Sequence, residues 1–575
     1  MVSDERALAS WLAERDDLGL ARILADRGVP PTVGWHDFFD AAAGLLDGAS
    51  LDRALIRLPR RELVELADDG DVAAGSSPHL VALALIAPEG TPFRTVTERL
   101  SALLAERPDA VAVESPVDPP PVAGDMSVAA DAERAFTTSG ALADVLLACL
   151  HTPLSRTGTG AISAADRKRL TEVHAVASPE ELEDLVESAA GAGLIRALER
   201  EWVVTTAGER WLESATPERW KAIAEGFRAA LPAGLRTAWG GFIPAGSWAG
   251  SYPLDPEWPA HAARLRRIAE LWGFLDAIGS EPPWTVALRA GVAADPTPLA
   301  AHLPAEIDRV YLQADLTAIA PGPLAPHLDL RLRGIARRES RAQASTYRFT
   351  VESLGAGMTE GETARSIREF LAQLSLTGIP QPLDYLIEST ATRHGLVRVR
   401  ADASTTRTRV ESPEPGLLDT IAVDQALRPL GLVHDDGGLT SRVARDAVYW
   451  SLADARYPVV ALGASGSPES LHRRAATAGA VVDADPRETY SRLIAVLRAG
   501  HRTDGEAAWL GRELEQAVRA RAEIVVVVKM PDGSERSLTL EAAGLGGGRL
   551  RGRDRMADIE RTLPVTSIVS VRRVS

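Results

Sequence analysis

Apolar positions recur at helical spacing near the start of the chain. In "ALASWLAERDDLGLARILADRG", Leu12, Leu18, Leu20 and Ile23 predict a helix stopped at Gly28, with Pro30-Pro31 beyond it. "WHDFFDAAAGLLDG" predicts a second helical segment. "SLDRALIRLPRRELVELA" predicts a third, with Ser50 as its N-cap. Residues 115–125, "SPVDPPPVAGD", break the rhythm, because proline and glycine sustain neither helix nor central strand. The pattern separates a helical domain at 1–114 from a linker at 115–135.

Beyond the linker, "SGALADVLLACLH" is an apolar helix and "RTGTGAIS" a glycine-rich turn. Two capped helices follow. Ser163 precedes Asp166 by three residues, and Ser178 precedes Glu181 with Pro179 at the first helical position. Leu182, Leu185, Val186 and Ala189 form the buried stripe of the second helix. "LIRALEREWVVTTAGERWL" then reads as a β-ribbon and a closing helix, so 136–230 has the order of a winged helix. The exposed face of that second helix is expected to carry Glu180, Glu181, Glu183, Asp184 and Glu187. Phosphates would repel it, which favours packing or partner binding over reading of a DNA groove. From 214 to 300 the chain is helical and tryptophan-rich, with 231–304 as a segment of its own. Trp220, Trp239, Trp248, Trp258, Trp272 and Trp284 are irregularly spaced and are expected as core anchors.

The periodicity changes at 305–410. "RVYLQADLTAIA" alternates as a strand, and "PLAPHLDLRLRGIARRES" reads as a helix carrying Arg331, Arg333, Arg337, Arg338 and Arg341. "STYRFT" is a second strand. "ETARSIREFLAQLS" and "PQPLDYLIESTATRHG" are two helices joined by "LTGIP", and the strand "LVRVR" completes another winged-helix order. In the second of these helices Leu383, Leu386, Ile387 and Thr390 line one face, and Gln381, Tyr385, Ser389, Thr392 and Arg393 the other. Arg398 and Arg400 share one side of the strand. Residues 411–500 read as an α/β segment and 501–575 as a helix plus a small β-rich domain, with a hairpin turn at Asp532-Gly533. There Arg549, Arg551, Arg553 and Arg555 alternate along one strand. No tandem repeat stands out at a fixed period. The expected class is mixed α+β and multidomain: a mostly helical N-terminal half with winged-helix units, a central α/β domain and a β-rich C-terminus.

Charge sharpens this picture. The chain carries −16 overall, but residues 1–135 alone carry −12, while 310–400 and 521–575 are net basic. Polyanion contact is therefore expected in the central and C-terminal blocks. Two sets of cations are candidates for phosphates: the helix Arg331–Arg341, and the helix end and strand of Arg393, Arg398 and Arg400, with Gln381 on the same helix face. The C-terminal strand of Arg549, Arg551 and Arg553 is a third. Their alternative is a solvated face with internal ion pairs.

The sequence lacks the signatures of catalysis. Its only lysines, Lys168, Lys221 and Lys529, follow Arg167, Trp220 and Val528, so it has no Gly-Lys pair to end a nucleotide-phosphate cradle. "GLGGGRLRG" misses dinucleotide spacing, and "GASGSPES" is no nucleophile elbow. His327, His394 and His434 are isolated, and the single cysteine, Cys149, sits in an apolar run as a buried thiol. No enzyme, cofactor or metal is expected. No apolar run approaches the ~20 residues of a membrane span, and with no leader after Met1 the cytoplasm is the expected location.

The runs "VYLQADLTAIAPGPLAPHL", "ARRESRAQASTYRFTVESL", "AQLSLTGIPQPLDYLIEST" and "RHGLVRV" together resemble the helicase-associated domain family. That family includes the N-terminal domain of XPB-type helicases and stand-alone actinobacterial members. "VVVVKMPDGSERSLTLEAAGLGGGRLRGRD" and "RTLPVTSIVSV" resemble a degenerate WYL-type domain without its Trp-Tyr-Leu run. The resemblance implies a non-catalytic accessory protein in DNA repair or transcription, with DNA, a helicase or another repair or transcription protein as partner. The alternative is a protein scaffold without direct DNA contact.

Overall fold

The computed structural model describes residues 4–573 apart from 69–77, 88, 113–119, 341–343, 403–406, 464–465, 467, 470–484, 504–505, 520, 531–532, 555–556 and 558. It is mixed α and β, helical in its N-terminal half and β-rich at its C-terminus, with four sheets among the described residues.

The first body is a bundle of short helices. The helical stretch that stops at Gly28 consists of two short helices, Asp4–Glu14 and Asp17–Asp26, because Asp16 caps the second by accepting from the Gly19 N–H at 2.8 Å. Ser50 is not a cap. Asp47 caps Gly48–Leu55, and Ser50 lies buried inside that helix. Its hydroxyl accepts from Arg27 at 2.9 Å. Arg27 also donates to the Leu83 carbonyl, and its burial lowers its pKa to about 10. The bundle is completed from far down the chain. Helix Pro486–Thr503 inserts Tyr490, Leu493, Ile494 and Leu497 into the same apolar core, and the Tyr490 hydroxyl donates to the Val29 carbonyl at 2.7 Å.

His79 pairs with the buried Glu62 at 2.8 Å, and this hydrogen bond raises the imidazole pKa against the opposing effect of burial. A raised folded pKa contributes stability that is complete below the unfolded value of about 6.5 and is lost as pH rises through the folded value. The stability difference between the wild-type chain and His79→Gln is therefore expected to be largest at acidic pH and to shrink above neutrality. At a half-exposed ring it amounts to about 1 kcal/mol or less. Denaturant titrations at several pH values measure it, and a pH-independent difference contradicts the linkage.

The second body begins with a helix (α1, Asp125–His151), a short strand (β1, Leu154–Ser155), two helices (α2, Ala164–Glu172; α3, Pro179–Gly191) and a hairpin (β2, Ile195–Leu198; β3, Glu201–Val204). The sheet order is β1-β3-β2. Ser163 accepts from the Asp166 N–H and Ser178 from that of Glu181, each at 3.1 Å, as their spacing implied. Cys149 is buried, and that burial pushes its thiol up to about 11.

The same backbone plan then recurs 80 residues on, around helices α4 (Thr216–Ala230) and α5 (Trp258–Leu271). Thr157 N–H donates to Ala161 O at 2.8 Å and Thr237 N–H to Gly241 O at 3.0 Å. Gly160 and Gly240 both have positive φ, as do Gly193 and Gly273 at the ends of α3 and α5. Leu194 N–H reaches Ala189 O, and Phe274 N–H reaches Ala269 O, both at 2.8 Å. The two equivalent helices lock onto each other. Asp184 of α3 is buried and receives Arg264 at 3.0 Å and Arg267 at 3.1 Å from α5, while Glu187 takes Arg264 at 2.9 Å. The exposed acidic face expected for α3 is thus corrected: Asp184 faces α5, and Glu183 pairs with Arg167 at 3.1 Å. Five of the six tryptophans are buried here, but Trp239 stands 85% exposed at the tip of its turn.

In the central region a four-stranded sheet of order β4-β5-β7-β6 (β4, Tyr311–Leu312; β5, Thr317–Ala320; β6, Arg337–Ser340; β7, Ser345–Arg348) packs with helices α6 (Pro326–Ile335), α7 (Val351–Thr359), α8 (Ala364–Leu374) and α9 (Gln381–Arg393). The expected arginine-rich helix ends at Ile335. Arg337 and Arg338 leave it for β6, where they oppose Arg348 and Tyr347 of β7, so sheet pairing wins over helix propensity. Arg341 lies outside the described residues. Helix α7 was not anticipated, although Thr350 and Ser353 form its capping box.

After α9 the chain enters a second sheet of order β10-β11-β9-β8-β12-β13 (β8, Val397–Asp402; β9, Arg407–Glu411; β10, Val433–Asp435; β11, Gly438–Ser441; β12, Val459–Leu462; β13, Pro468–Glu469). Because β8 pairs with β12 and β9 with β11, position 410 falls inside one sheet, and the two apolar cores part between α9 and β8.

The C-terminal sheet has the order β17-β16-β15-β14-β18 (β14, Glu523–Lys529; β15, Glu535–Gly546; β16, Arg549–Asp554; β17, Ile559–Pro564; β18, Ile568–Arg573) and is packed by helix Glu506–Arg519 through Leu514 and Ala517. Its first hairpin turns at Gly533, φ 84°, while Asp532 lies outside the described residues. Among the described residues no helix is long and apolar enough to cross a membrane.

Candidate nucleic-acid interface

Helices α8 and α9 are joined by the turn "SLTGIP", in which Gly378 takes a positive φ and the Ser375 hydroxyl donates to its carbonyl at 2.9 Å. Leu383, Ile387 and Thr390 turn α9 onto the core. The opposite face presents Gln381, Tyr385, Thr392 and Arg393 to solvent, with Tyr385 74% exposed. The acids on this helix do not stand alone. Arg368 of α8 holds Asp384 at 2.6 Å and Glu388 at 2.7 Å, which offsets charge that would repel a phosphate.

Strand β8 continues from the end of α9. Arg398 is exposed on it, and among the described residues neither Arg393 nor Arg398 makes an ion pair. Arg400 differs: it shares the Glu411 carboxylate with Arg409, each at 2.9 Å. Burial lowers the pKa of His394, which lies between helix and strand.

The other expected cluster does not form one basic patch. Arg331 stacks over the Phe370 ring at 4.4 Å and is bound by Glu362 at 2.8 Å. Arg333 and Arg338 turn the other way, onto Asp144 of α1, at 2.7 and 2.5 Å. Arg337 is exposed on β6. Arg333 also lies 3.6 Å from Asp329 of its own helix, but sequence spacing could not show the rest, because Glu362 and Asp144 come from other elements.

On β16, Arg549, Arg551 and Arg553 all point to solvent and alternate with buried positions. Arg553 lies between Glu541 and Glu560 on the neighbouring strands. Arg549 and Arg551 instead oppose Gly546 and Gly544 on one side and Pro564 and Thr562 on the other, so no carboxylate stands directly across from either. Among the described residues no group of histidine, cysteine and carboxylate side chains could hold a metal.

No curated protein matches the chain. Residues 310–436, the stretch that carries α9, β8 and β9, are similar to the family described as helicase conserved C-terminal domain.

Proposed function

We propose that this protein is a DNA-associated accessory factor, related to helicases but without a motor, that holds DNA against the outer face of α9 and the adjoining strand β8. The observation that carries this reading is the pair of exposed cations, Arg393 and Arg398, neither of them in an ion pair among the described residues, beside Gln381 and Tyr385 inside the stretch similar to the helicase family. Helix, tight turn, helix and hairpin is an order in which the second helix meets a groove and the hairpin meets the backbone. The absence of any Gly-Lys pair supports the lack of a motor. The resemblance of 305–400 to the XPB-type N-terminal domain and of the last residues to a WYL-type domain agrees with a place in repair or transcription. Arg549 and Arg551 offer a second basic face.

Fluorescence anisotropy with labelled duplex over a salt series tests this. The double variant Arg393→Ala/Arg398→Ala is expected to weaken binding and to lower the slope of log K against log salt by about 1 for each cation removed. Unchanged affinity and slope would sink the proposed interface.

A scaffold that recruits a helicase partner is the second reading. It is favoured by the mutual burial of α3 and α5, which leaves neither free to enter a groove, and by the acidic first body. Absence of any DNA binding at low salt, together with native co-purification of a helicase, would select it.

A further inference from the structure

Arg333 Nη1 lies 2.7 Å from Asp144 Oδ1, and Arg338 Nη2 lies 2.5 Å from Asp144 Oδ2. Two arginines thus take one oxygen each of a single anion, an arrangement equally suited to the two free oxygens of a phosphodiester. The arginines belong to the stretch similar to the helicase family, whereas the carboxylate arrives from α1 of the preceding body. All three side chains are largely shielded from water; Arg333 also lies 3.6 Å from Asp329 of its own helix, while Asp144 is the carboxylate that the two cations share.

The junction around them carries polar contacts besides one apolar one. The apolar cores of the two bodies are separate, and Leu330 of α6 packs across onto the core of the tandem units. Thr216 N–H donates to Glu306 at 2.8 Å, and His151 approaches Glu360 at 3.9 Å. Interfaces held this way resemble transient contacts and permit relative motion of the bodies. A buried ion pair adds little net stability over its separated, resolvated partners, so exchanging one anion for another is nearly balanced.

We propose that Arg333 and Arg338 form a second phosphate-holding site of the DNA interface, filled in the free protein by Asp144 and opened when the tandem units move away. This inference rests on the DNA-binding reading above. Asp144 then acts as an internal competitor that sets the affinity.

The test uses the full chain. Asp144→Asn keeps the side-chain volume and removes the competing charge. It is expected to bind duplex about tenfold more tightly, as two charge-assisted contacts become available. Its salt slope is expected to steepen by up to about 1.8. Asp144→Asn/Arg338→Gln is expected to lose at least half of that added slope. Thermal unfolding confirms that each variant is folded. If the wild type and folded Asp144→Asn bind with equal affinity and slope, the inference falls and the α9–β8 interface stands. If neither binds at low salt, both fall together.

Discussion

Replacing Leu493 and Leu497 with alanine is expected to unfold the first body while the rest of the chain stays native. Both leucines come from helix Pro486–Thr503, both are buried, and both belong to the core otherwise built from residues 8–110 with Leu254. Each buried leucine truncated to alanine costs about 2–5 kcal/mol, transfer and cavity together. Two such losses rival the 5–15 kcal/mol that typically holds a whole domain. Limited proteolysis is the direct measurement: cleavage should concentrate within 4–112, with 125–462 remaining protected. Equal resistance of variant and wild type across 4–112 would show that the docked helix is dispensable.

The tandem units have a comparable weak point at Trp220. Its ring meets Phe274 at 5.6 Å and Trp284 at 6.5 Å, both edge-on, and its indole N–H donates to the Trp272 carbonyl at 3.0 Å. The residue is fully buried where α4 crosses the chain leaving α5. Trp220→Ala is expected to destabilise these units by about 3–5 kcal/mol. Trp220→Phe keeps most of the apolar contact but orphans the carbonyl, for a smaller loss of about 1–3 kcal/mol. Denaturant midpoints of the two variants check both the size and the order. If Phe proved as damaging as Ala, the hydrogen bond and not the packing would be the dominant contribution.

Short-range signals were legible in the sequence. The caps at Ser163 and Ser178, the buried face of α9, the alternation of β16 and the strand after α9 all follow from spacings of a few residues. What depends on distant partners was not. Nothing around Asp144 announces that two arginines nearly 200 positions later will close on it. Asp184 reads as exposed because its helix is acidic, yet the arginines that bury it sit on the equivalent helix of the next unit. The 80-residue recurrence is hidden in the sequence for a related reason. It is written in turn lengths and in glycines that adopt positive φ, and scarcely in matching side chains. In the candidate interface, the helix face bearing Gln381 and Arg393 was visible from periodicity. Which arginines remain unpaired was not, since pairing is settled only by tertiary structure.

The helix that closes the first bundle also sets a schedule for synthesis. Residues near 490 must leave the ribosome before the first bundle can acquire its full core. At about 5–20 residues per second, that wait lasts roughly 25–100 s. The leucines of the first bundle thus emerge well before the helix that completes their core, and spend that interval without their full burial.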